Sequence, residues 1–401
     1  MYLKKKNKID LVILAGGKGT RIKKFLSDIP KPLYKFDNIP FLQLLLNYYC
    51  KYPLEKIHIL CGHRGDKIYK KYHNKIINFV LIKCYIEKKP LGTAGALKSL
   101  KKIIKNDFLL VNGDSFCDVK LNKFFFKFYK YSQIFLTQNN SYKSNSKLAN
   151  LSVNKKNKAN FNKNSNLMNA GIYFFKKEIL NKIEKKIFSL ESELIPDLIL
   201  EKKLEGVKTK GFFIDIGTEK NLHTAKRKLP LFFKRPAVFL DRDGVINHDY
   251  DYVFKIKDFK FMRDTLKTLK HLIKKGFYIF VITNQAGIAK KKFSLNSFIK
   301  LHKHLKYYLN RNYIHFDDVQ YCPYHRDALI KKFKKNSILR KPDNGMINKI
   351  NRNWYLFRKK SFFIGDQLSD MLCAKKSNLY YEFRDKNFFT QIKKIVRMKF
   401  F

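Results

Sequence analysis

The stretches LVILAGGKGTR at residues 11–21 and AVFLDRDG at residues 237–244 decide the fold, because each runs an apolar segment into a polar motif. The apolar runs at 108–111, 278–282 and 362–364 end in the same way. Such runs are typical of buried parallel strands, and open α/β sheets bind ligands beyond the carboxyl ends of their strands. The pattern predicts α/β architecture, with a ligand site at the mouth of each sheet.

The chain length of 401 residues exceeds the size at which one hydrophobic core usually keeps growing, so we expect two doubly wound domains. The segment LPLFFKRP at 229–236 holds two prolines, which interrupt regular structure. We therefore place the first domain at 1–228, a linker at 229–235 and the second domain at 236–401. The asparagine- and lysine-rich stretch at 139–166 is predicted to form irregular loops around short strands.

The formal net charge of +53 raises the question of nucleic-acid binding. The 85 basic residues include only 13 arginines, and the lysines are spread along the whole chain instead of forming one stripe interleaved with aromatic residues. The chain is also rich in Asn, Ile, Phe and Tyr, which share A/T-rich codons with lysine. We interpret the charge as a consequence of base composition that would still attract phosphorylated substrates, and we expect no nucleic-acid partner.

The six cysteines form no CxxC pair, which favours a reducing compartment. The basic N-terminus lacks the apolar stretch of a signal peptide, and no segment approaches the roughly 18 uninterrupted apolar residues of a membrane span. We therefore expect a cytoplasmic enzyme. The basic and aromatic stretch at 388–401 is predicted to be a terminal helix that packs on the second sheet, with a membrane-surface helix as the alternative.

A glycine-rich loop follows the first apolar run, and its glycines let the backbone fold tightly so that N–H groups point at an anion. Lys18 and Arg21 add positive charge there, and prolines on both sides of Lys31 fix a second loop that would aim its ammonium group at the same phosphates. The neutral loop residues are Gly16, Gly17, Gly19 and Thr20. The two loops predict a phosphate-binding site.

Together, LAGGKGTR and PKP resemble the sugar-phosphate nucleotidyltransferase family, and the resemblance covers residues 8–228. Further segments match in order: PLGTAG at 90–95, VNGD at 111–114, NAG at 169–171 and FIDIGT at 213–218. The family usually has a Glu-Lys pair on the strand before NAG. This chain has Asn162 and Lys163 there, which leaves Lys163 alone to bind the sugar phosphate.

The resemblance implies that Asp114 and Asp215 hold Mg²⁺ on a nucleoside triphosphate. Arg21 and Lys31 would neutralise the departing pyrophosphate. Nucleotide and sugar-phosphate contacts are implied for the neutral loop residues and for Gly92, Thr93, Asn112, Lys163, Asn169 and Gly171. Glu191 is a further candidate for sugar hydroxyls, although a solvated helical acid is an equally good interpretation.

The motif DRDG places Asp241 and Asp243 two residues apart at a strand end, a spacing that suits a carboxylate nucleophile with an acid/base partner. Three further motifs follow in order, namely Thr283-Asn284, Arg340-Lys341-Pro342 and Gly365-Asp366 with Asp370 four residues on. This ordered set resembles the haloacid dehalogenase superfamily over about residues 236–385. The implied fold is a capless, doubly wound sheet.

That resemblance implies that Asp241 attacks phosphorus and that Asp243 protonates the leaving oxygen and later activates water. Thr283 and Lys341 would hold the phosphoryl oxygens. Further substrate contacts are implied for Asn284, Gln285 and Arg340. Mg²⁺ is implied on Asp241, on the main-chain carbonyl of Asp243 and on Asp366, with Asp370 in support. Clustered carboxylates would repel one another without such a cation.

The segments FLDRDGVINHDYDYV, TNQAGIAKKKF, YCPYH and RKPDNGM resemble, more narrowly, the branch of D-glycero-D-manno-heptose 1,7-bisphosphate 7-phosphatases. That branch commonly carries a zinc loop, and a closed zinc site needs four ligands. Here only Cys322 stands clearly at a ligand position. Tyr324, Ser337 and Leu339 occupy the others, so we expect no zinc.

A phosphatase acting on a sugar 1,7-bisphosphate leaves the sugar 1-phosphate that a nucleotidyltransferase consumes. We therefore expect a bifunctional enzyme of nucleotide-sugar biosynthesis, with phosphosugar and nucleoside triphosphate as substrates. The first domain looks closest to D-glycero-α-D-manno-heptose 1-phosphate guanylyltransferases, which implies GTP and GDP-heptose for surface polysaccharide. The alternatives are another phosphosugar, a nucleic-acid-end phosphatase, and a phosphatase whose first domain only binds ligands.

Overall fold

The computed structural model describes residues 8–17, 19–26, 28–138, 149–184 and 187–400. Lys18 of the predicted phosphate loop and residues 139–148 of the asparagine-rich stretch lie outside these ranges. Within the described ranges the chain forms a ten-stranded sheet and a five-stranded sheet, each with its own helices, together with two short two-stranded ribbons. We call the elements up to residue 233 the first part and the rest the second part.

The strands of the first part are β1 Asp10–Ala15, β2 Lys35–Phe36, β3 Ile39–Pro40, β4 Lys56–Cys61, β5 Ile76–Ile77, β6 Val80–Ile86, β7 Phe108–Asn112, β8 Ser115–Cys117, β9 Ser132–Gln138, β10 Ala149–Val153, β11 Ala159–Phe161, β12 Leu167–Phe175, β13 Leu204–Lys208 and β14 Phe213–Asp215. Its α-helices are α1 Lys23–Leu26, α2 Phe41–Tyr49, α3 Gly65–Tyr72, α4 Gly92–Gly95, α5 Asn122–Phe126, α6 Ile195–Leu200 and α7 Glu219–Phe233. The second part has strands β15 Ala237–Leu240, β16 Tyr278–Asn284, β17 Asp318–Cys322, β18 Phe362–Gly365 and β19 Tyr380–Phe383. Its α-helices are α8 Thr265–Lys274, α9 Ala286–Ala289, α10 Leu295–Arg311, α11 Gly345–Asn351, α12 Leu368–Lys376 and α13 Phe388–Phe400.

The first sheet reverses its strand order at β1. Its path runs β11-β10-β12-β7-β1-β4-β6-β5, and β1 is parallel to both β4 and β7, with Leu14 opposite Leu60 and Asn112. Strands β9, β12 and β13 extend this sheet, and β12 runs antiparallel to β7. The predicted α/β fold is confirmed. Ligands bind outside the carboxyl ends of parallel strands at such a reversal, and this is the edge where the sequence predicts the first site.

The sequence of strand β1 is a continuous apolar run because both faces of the strand are buried. Leu11 and Ile13 pack into the core that contains α2, while Val12 points into the core that contains α4 and α6. Successive side chains of a strand point to opposite faces, so a sheet covered by helices on both sides needs apolar residues at every position. The sequence pattern of a buried strand is therefore explained by two separate cores.

The second sheet is parallel throughout, with order β17-β16-β15-β18-β19 and the reversal between β15 and β18. Val238 and Leu240 face the core formed with α8, α10 and α13, whereas Phe239 faces α11 and α12. The terminal helix α13 contributes Phe388 and Ile392 to the first of these cores. The predicted doubly wound second sheet and the predicted packing of the terminal helix are both found.

Helix α7 continues through residues 229–233, which the sequence analysis placed in a linker. Pro230 lies inside this helix and costs it one backbone hydrogen bond. Leu229 and Phe233 are fully or nearly fully buried in the first core, and the N–H of Lys234 donates to the carbonyl of Pro230. Burial of these side chains outweighs the helix-breaking tendency of the proline, so the helix extends to Phe233 and only residues 234–236 connect it to β15.

All six cysteines are unpaired and buried. Among the described helices, none combines the length and the apolar character needed to cross a membrane.

Candidate active sites

A cavity of about 640 Å³ lies beyond the carboxyl ends of β7, β1, β4 and β6. Glycines let the chain segments approach closely at its floor, since a Cβ on Gly113 would lie 2.6 Å from the carbonyl oxygen of Leu14. The predicted residues that line this cavity are Gly16, Gly17, Lys31, Gly92, Thr93, Asn112 and Asp114. The structure therefore places half of the residues predicted for the first site in the lining of one cavity.

Two carboxylates and one ammonium group meet beside this cavity. Lys31 Nζ donates to Asp114 Oδ2 at 2.9 Å. Asp215 lies next to them because β14 pairs antiparallel with β8, with Asp215 opposite Ser115, and the N–H of Ile216 donates to the carbonyl of Asp114. Burial raises the pKa of the Asp215 carboxyl, and the neighbouring Asp114 raises it further. Two adjacent acids of this kind are suited to sharing a divalent cation.

The start of α7 holds Asp215 in place. Asp215 Oδ1 accepts hydrogen bonds from the N–H of Gly217 at 2.8 Å and from Asn221 Nδ2 at 2.9 Å. Thr218 caps the helix, because its hydroxyl accepts from the N–H of Asn221 at 3.2 Å. The motif FIDIGT thus forms a strand, a tight turn and a helix cap that fix the carboxylate.

The PLGTAG segment forms part of the cavity lining. Gly92 has φ +76°, and a Cβ there would lie 2.6 Å from the carbonyl oxygen of Phe188. Thr93 Oγ1 accepts from the N–H of Leu190 at 2.8 Å, so the threonine supports a π-helical turn at Leu190–Leu194 in addition to lining the cavity. This turn carries Glu191 into the cavity wall. Burial raises the pKa of Glu191, Asp114 adds to the rise, and Arg21 opposes it.

Several predicted residues of the first site lie outside the cavity lining. Gly171 has φ +69°, and a Cβ on it would lie 2.6 Å from Ser115 Oγ, while Asn169 Oδ1 accepts from the N–H of Gly171 at 2.9 Å. Thr20 and Arg21 are exposed on a short 3₁₀ turn that follows Gly19. Lys163 is exposed in the turn between β11 and β12, at the far edge of the sheet. The sugar-phosphate role of Lys163 is not supported by this placement.

The second site forms where β15 and β18 end side by side, with Leu240 opposite Ile364. Lys341 Nζ lies 2.8 Å from Asp241 Oδ1 and 2.5 Å from Asp370 Oδ1. Burial raises the pKa of Asp241 to about 7; Lys341 opposes this rise, and Asp370 adds to it. Burial also disfavours the charged form of Lys341, but the two carboxylates outweigh it and raise the pKa of that lysine.

Asp243 is held by three side chains. Arg242 Nη2 donates to both carboxylate oxygens at 2.7 Å, and Asn247 Nδ2 donates to Oδ1 at 2.9 Å. Gln285 Nε2 donates to Oδ2 at 3.0 Å and to Thr283 Oγ1 at 2.9 Å. The predicted substrate contact Gln285 therefore links the predicted acid/base residue to the predicted phosphate-binding hydroxyl.

Asp366 has the surroundings that best fit a divalent cation. Gly244 has φ +79°, and a Cβ there would lie 2.2 Å from Asp366 Oδ2, so the DRDG turn presses against this carboxylate. Asp366 Oδ1 is buried and has no hydrogen-bond partner within the described part of the chain. Ligand atoms of Asp241, Asp366 and Asp370 lie within 4.8 Å of one another. An unpaired buried oxygen within a carboxylate cluster fits a hard divalent cation.

The structure also places two predicted substrate contacts and the segments compared with a zinc loop. Both amide atoms of Asn284 hydrogen-bond the backbone of Lys341, at 3.0 and 3.1 Å, so Asn284 positions the lysine, and its second amide hydrogen remains available to a substrate. Arg340 Nη1 is buried and lacks a hydrogen-bond partner among the described residues. Cys322 Sγ donates to the carbonyl of Tyr324 at 3.8 Å, and His325 Nδ1 accepts from the N–H of Asp327 at 3.1 Å.

Comparisons with known proteins match both halves of the chain. A nucleotidyl transferase family model matches residues 11–230, which is more than half of the chain. A model described as polynucleotide kinase 3 phosphatase matches residues 239–398. A D-glycero-beta-D-manno-heptose-1,7-bisphosphate 7-phosphatase from Photorhabdus laumondii is 40% identical over 139 residues, which are 35% of this chain and 74% of the relative. The enzyme of that name from Escherichia coli K12 is 35% identical over 144 residues, 36% of this chain and 75% of the relative.

The chain belongs to the nucleotidyl transferase family and to the family of heptose-bisphosphate 7-phosphatases. Its first part is the nucleotidyl transferase, and its second part is the phosphatase. Among solved structures, HddC from Yersinia pseudotuberculosis is 28% identical and covers 55% of this chain and 99% of its own, with a TM-score of 0.47. We refer below to the first part as the nucleotidyltransferase part and to the second as the phosphatase part.

The lining of the cavity in the nucleotidyltransferase part also includes ionisable residues that were not predicted as site residues, among them Glu87 and His63. Both follow strand ends, since Cys61 ends β4 and Ile86 ends β6. Burial raises the pKa of Glu87. The signal that could have found them is the position immediately after a buried strand, the same signal that identified Asp114.

Proposed function

We propose that the chain removes the 7-phosphate of D-glycero-D-manno-heptose 1,7-bisphosphate and then transfers GMP from GTP to the resulting heptose 1-phosphate. This proposal rests on the combination of two parts in one chain. The phosphatase part is related to heptose-bisphosphate phosphatases, and the nucleotidyltransferase part contains a cavity at the carboxyl ends of its strands. The product of the first reaction is the substrate class of the second. The expected product, GDP-heptose, would serve surface-polysaccharide synthesis.

In the phosphatase part, Asp241 would attack the phosphorus, and the bond from phosphorus to the sugar oxygen would break. Asp243 would give its proton to that oxygen, and then take a proton from the water that hydrolyses the aspartyl phosphate. Lys341, 2.8 Å from the nucleophile, would hold a phosphoryl oxygen together with the buried hydroxyl of Thr283. Free phosphate leaves, and the Asp241 carboxylate is restored.

In the nucleotidyltransferase part, an oxygen of the sugar 1-phosphate would attack the α-phosphorus of the nucleotide, and the bond to the β-phosphate oxygen would break. Lys31 lies in the cavity beside Asp114 and would balance the charge that develops on pyrophosphate. Arg21 is exposed on the 3₁₀ turn, within electrostatic reach of the cavity-lining Glu191, and would share this role. Positioning and charge neutralisation carry the reaction.

We propose Mg²⁺ at both sites. Asp241, Asp366 and the main-chain carbonyl of Asp243 would hold it in the phosphatase part, and Asp114 and Asp215 in the nucleotidyltransferase part. Bound Mg²⁺ would relieve the repulsion between these carboxylates and withdraw charge from phosphoryl oxygens. The raised pKa values of Asp215 and Asp366, both due first to burial, mark these carboxylates as poorly stabilised without a cation.

Guanine is supported by the position of Glu87. Strand order places Glu87 after β6, two strands from the glycine-rich loop after β1, while Asp114 follows β7 on the other side. A triphosphate over β1 with its metal near β7 would place the base towards β6. Guanine alone among the common bases presents two adjacent donors, N1–H and the N2 amino group, which a carboxylate can accept together.

The test is mass spectrometry of the products formed from heptose 1,7-bisphosphate and Mg²⁺ with each nucleoside triphosphate in turn. Both anomers of the bisphosphate are needed, because the phosphatase relatives carry the β name and the guanylyltransferase resemblance implies α. GDP-heptose from one anomer supports both activities and their order. Heptose 1-phosphate with every triphosphate left intact would refute the proposed second step.

Two variants separate the sites. Asp114→Asn should abolish nucleotide-sugar formation while phosphate release continues. Asp241→Asn should abolish phosphate release, but it should still form nucleotide sugar when heptose 1-phosphate is supplied. An Asp114→Asn enzyme that still makes nucleotide sugar would remove Asp114 from the proposed machinery. Nucleotide-sugar formation by the wild type would also exclude the alternative in which the first part only binds ligands.

A nucleic-acid-end phosphatase is the second candidate, favoured by the match to the polynucleotide kinase 3 phosphatase model and by the charge of +53. A DNA or RNA oligonucleotide with a 3′-phosphate, assayed beside the heptose bisphosphate, distinguishes the two. Faster turnover of the oligonucleotide, together with steep salt dependence of its binding, would support this candidate.

A further inference from the structure

Helix α10 of the phosphatase part is packed against the nucleotidyltransferase part through buried hydrogen bonds. Lys306 Nζ donates to the carbonyls of Cys50, at 2.7 Å, and Asn78. Asn310 Nδ2 donates to the carbonyl of Lys51 at 3.0 Å. Buried polar groups must be paired, and these pairs cross from one part to the other. The helix is therefore fixed by both parts of the chain.

Phe79 is the side chain of the nucleotidyltransferase part that enters the phosphatase core. It lies in the tight turn between β5 and β6, is 5% exposed and belongs to the apolar cluster that contains Val238. Its backbone has φ 63°, a conformation that bulky residues rarely adopt. The neighbouring Asn78 Nδ2 anchors the turn on the carbonyls of Phe316 and Asp317, each at 3.1 Å.

The Phe79 ring stacks on His302 of α10, with centroids 4.7 Å apart and planes at 21°. His302 is buried and lies with Nε2 3.5 Å from Arg242 Nη1. Burial lowers the pKa of His302 well below its usual value, with Arg242 and Lys306 lowering it further, so the ring is neutral. Since arginine stays protonated, Arg242 donates and His302 Nε2 accepts.

Arg242 is 1% exposed, and its guanidinium group donates several hydrogen bonds. Nη2 donates to both oxygens of Asp243, Nε donates to Oδ1 at 3.0 Å, and Nη2 also reaches the carbonyl of Val253 at 2.8 Å. His302 faces the remaining terminal nitrogen, Nη1. The ring of Phe79 therefore supports, through His302, the arginine that orients Asp243.

We propose that Phe79 is a positioning residue for the acid/base carboxylate Asp243, so that the nucleotidyltransferase part completes the active site of the phosphatase part. This inference rests on the acid/base role of Asp243 in the proposed function. Loss of the ring would let His302 and Arg242 shift, and the carboxylate would lose its alignment with the leaving oxygen. Misplacement of a catalytic group by a fraction of an ångström slows proton transfer.

The experiment compares two esters in the full-length protein. The oxygen that leaves from an alkyl phosphate such as heptose 1,7-bisphosphate needs a proton, whereas p-nitrophenolate leaves readily without one. A defect in general acid catalysis therefore lowers kcat/KM for the alkyl ester much more than for p-nitrophenyl phosphate. A defect in folding or metal binding lowers both alike. Any sugar phosphate that the wild type hydrolyses can serve as the alkyl ester.

Phe79→Ala is expected to lower the alkyl-to-aryl ratio of kcat/KM by about tenfold, a fraction of the 10²–10⁴ that general acid catalysis supplies. Phe126→Ala is the matched control, because Phe126 is also an aromatic residue of the nucleotidyltransferase part packed on α10. Its ring lies 5.0 Å from Tyr307, away from Arg242. This control should leave the ratio within twofold of the wild type. Nucleotidyl transfer by both variants checks that they fold.

Phe79→Leu keeps an apolar side chain but not the flat face, and it should give an intermediate ratio. His302→Phe keeps the ring but removes the Nε2 acceptor, and it should lower the ratio as Phe79→Ala does. An unchanged ratio in Phe79→Ala or His302→Phe would overturn the inference. A wild type that hydrolyses neither ester would instead refute the proposed phosphatase function, and this inference with it.

Discussion

The ammonium group of Lys341 lies 2.8 Å from Oδ1 of Asp241, and both residues are more than nine-tenths buried. The same nitrogen contacts Asp370, whose other oxygen accepts from the N–H groups of Asp366 and Gln367 at 3.2 and 3.1 Å. One buried ammonium group therefore pairs with two buried carboxylates and offsets only part of their charge. In the proposed mechanism the same group would contact a phosphoryl oxygen next to Asp241.

Replacing Lys341 by Met should lower the phosphatase kcat by at least about a hundredfold, because both the phosphate contact and the balancing charge are lost. Stability should fall by about 3 kcal/mol, since two buried carboxylates would be left without a cation. Phosphate release and urea unfolding are the measurements. Lys376→Met is the control, because Lys376 pairs with Asp343 on the exposed surface at 2.6 Å. Retention of activity within threefold would contradict the assignment.

Mg²⁺ should raise the thermal stability of the protein freed of metal by chelation, because it would relieve the repulsion among Asp241, Asp366 and Asp370. At a hundredfold excess over the dissociation constant, each occupied site is expected to add about 2.7 kcal/mol. Asp366→Asn should lose the contribution of the phosphatase site and most of the phosphatase activity. Asp114→Asn should retain the part of the gain that belongs to the phosphatase site. Equal Mg²⁺ responses in the wild type and Asp366→Asn would exclude Asp366 as a ligand.

The sequence predicted residues at the ends of neighbouring strands well, because parallel strands align their carboxyl ends whatever the connections between them. Asp241 and Asp366 meet for this reason, as β15 and β18 are adjacent. Positions in loops could not be predicted in this way. Arg21 and Lys163 were assigned by motif, but the direction of an exposed turn depends on packing that a motif does not encode.

Contacts between the two parts could not be predicted at all, since no local pattern marks them. Phe79 and His302 are far apart in the chain and meet only because α10 packs beside the β5–β6 turn. The helix at 229–233 was not predicted because the helix-breaking tendency of Pro230 is visible in the local sequence. The burial of Leu229 and Phe233, which stabilises the helix, depends on tertiary packing. The role of Asn284 depends on a backbone segment 57 residues away.

Replacing Glu87 by Gln should reduce selectivity for GTP. The carboxylate would accept two donors from guanine, whereas the glutamine amide offers one acceptor and places a donor against the other. Charged hydrogen bonds contribute about 1.5–3 kcal/mol each, so kcat/KM for GTP should fall by at least tenfold. Competition between GTP and the other triphosphates, followed by mass spectrometry, measures this effect. Glu191→Gln is the control, since Glu191 lies within electrostatic reach of Asp114 and Asp215, the proposed metal ligands, and should not alter base choice.

The contact between the two parts should become stronger at alkaline pH, because Lys306 is buried in it. Burial lowers the pKa of Lys306 to about 8, against the attraction of Cys50 and Asp318, and Lys303 lowers it further. Burial also raises the pKa of the Cys50 thiol to about 12, so that this group stays neutral over the same range. Between pH 8 and 10.5 the unfolded chain therefore binds more protons at Lys306 than the folded chain. Unfolding free energy must rise with pH in that window.

Lys306→Met isolates this contribution from the other titrating groups. The difference in unfolding free energy, wild type minus variant, should increase by on the order of 3 kcal/mol from pH 8 to 10.5 and should be flat below pH 8. Urea unfolding at several pH values measures it. Lys300→Met, an exposed position on the same helix, is the control. A difference that is flat for Lys306→Met as well would mean that Lys306 is hydrated in solution, and that the two parts are held together less tightly than its hydrogen bonds to Cys50 and Asn78 indicate.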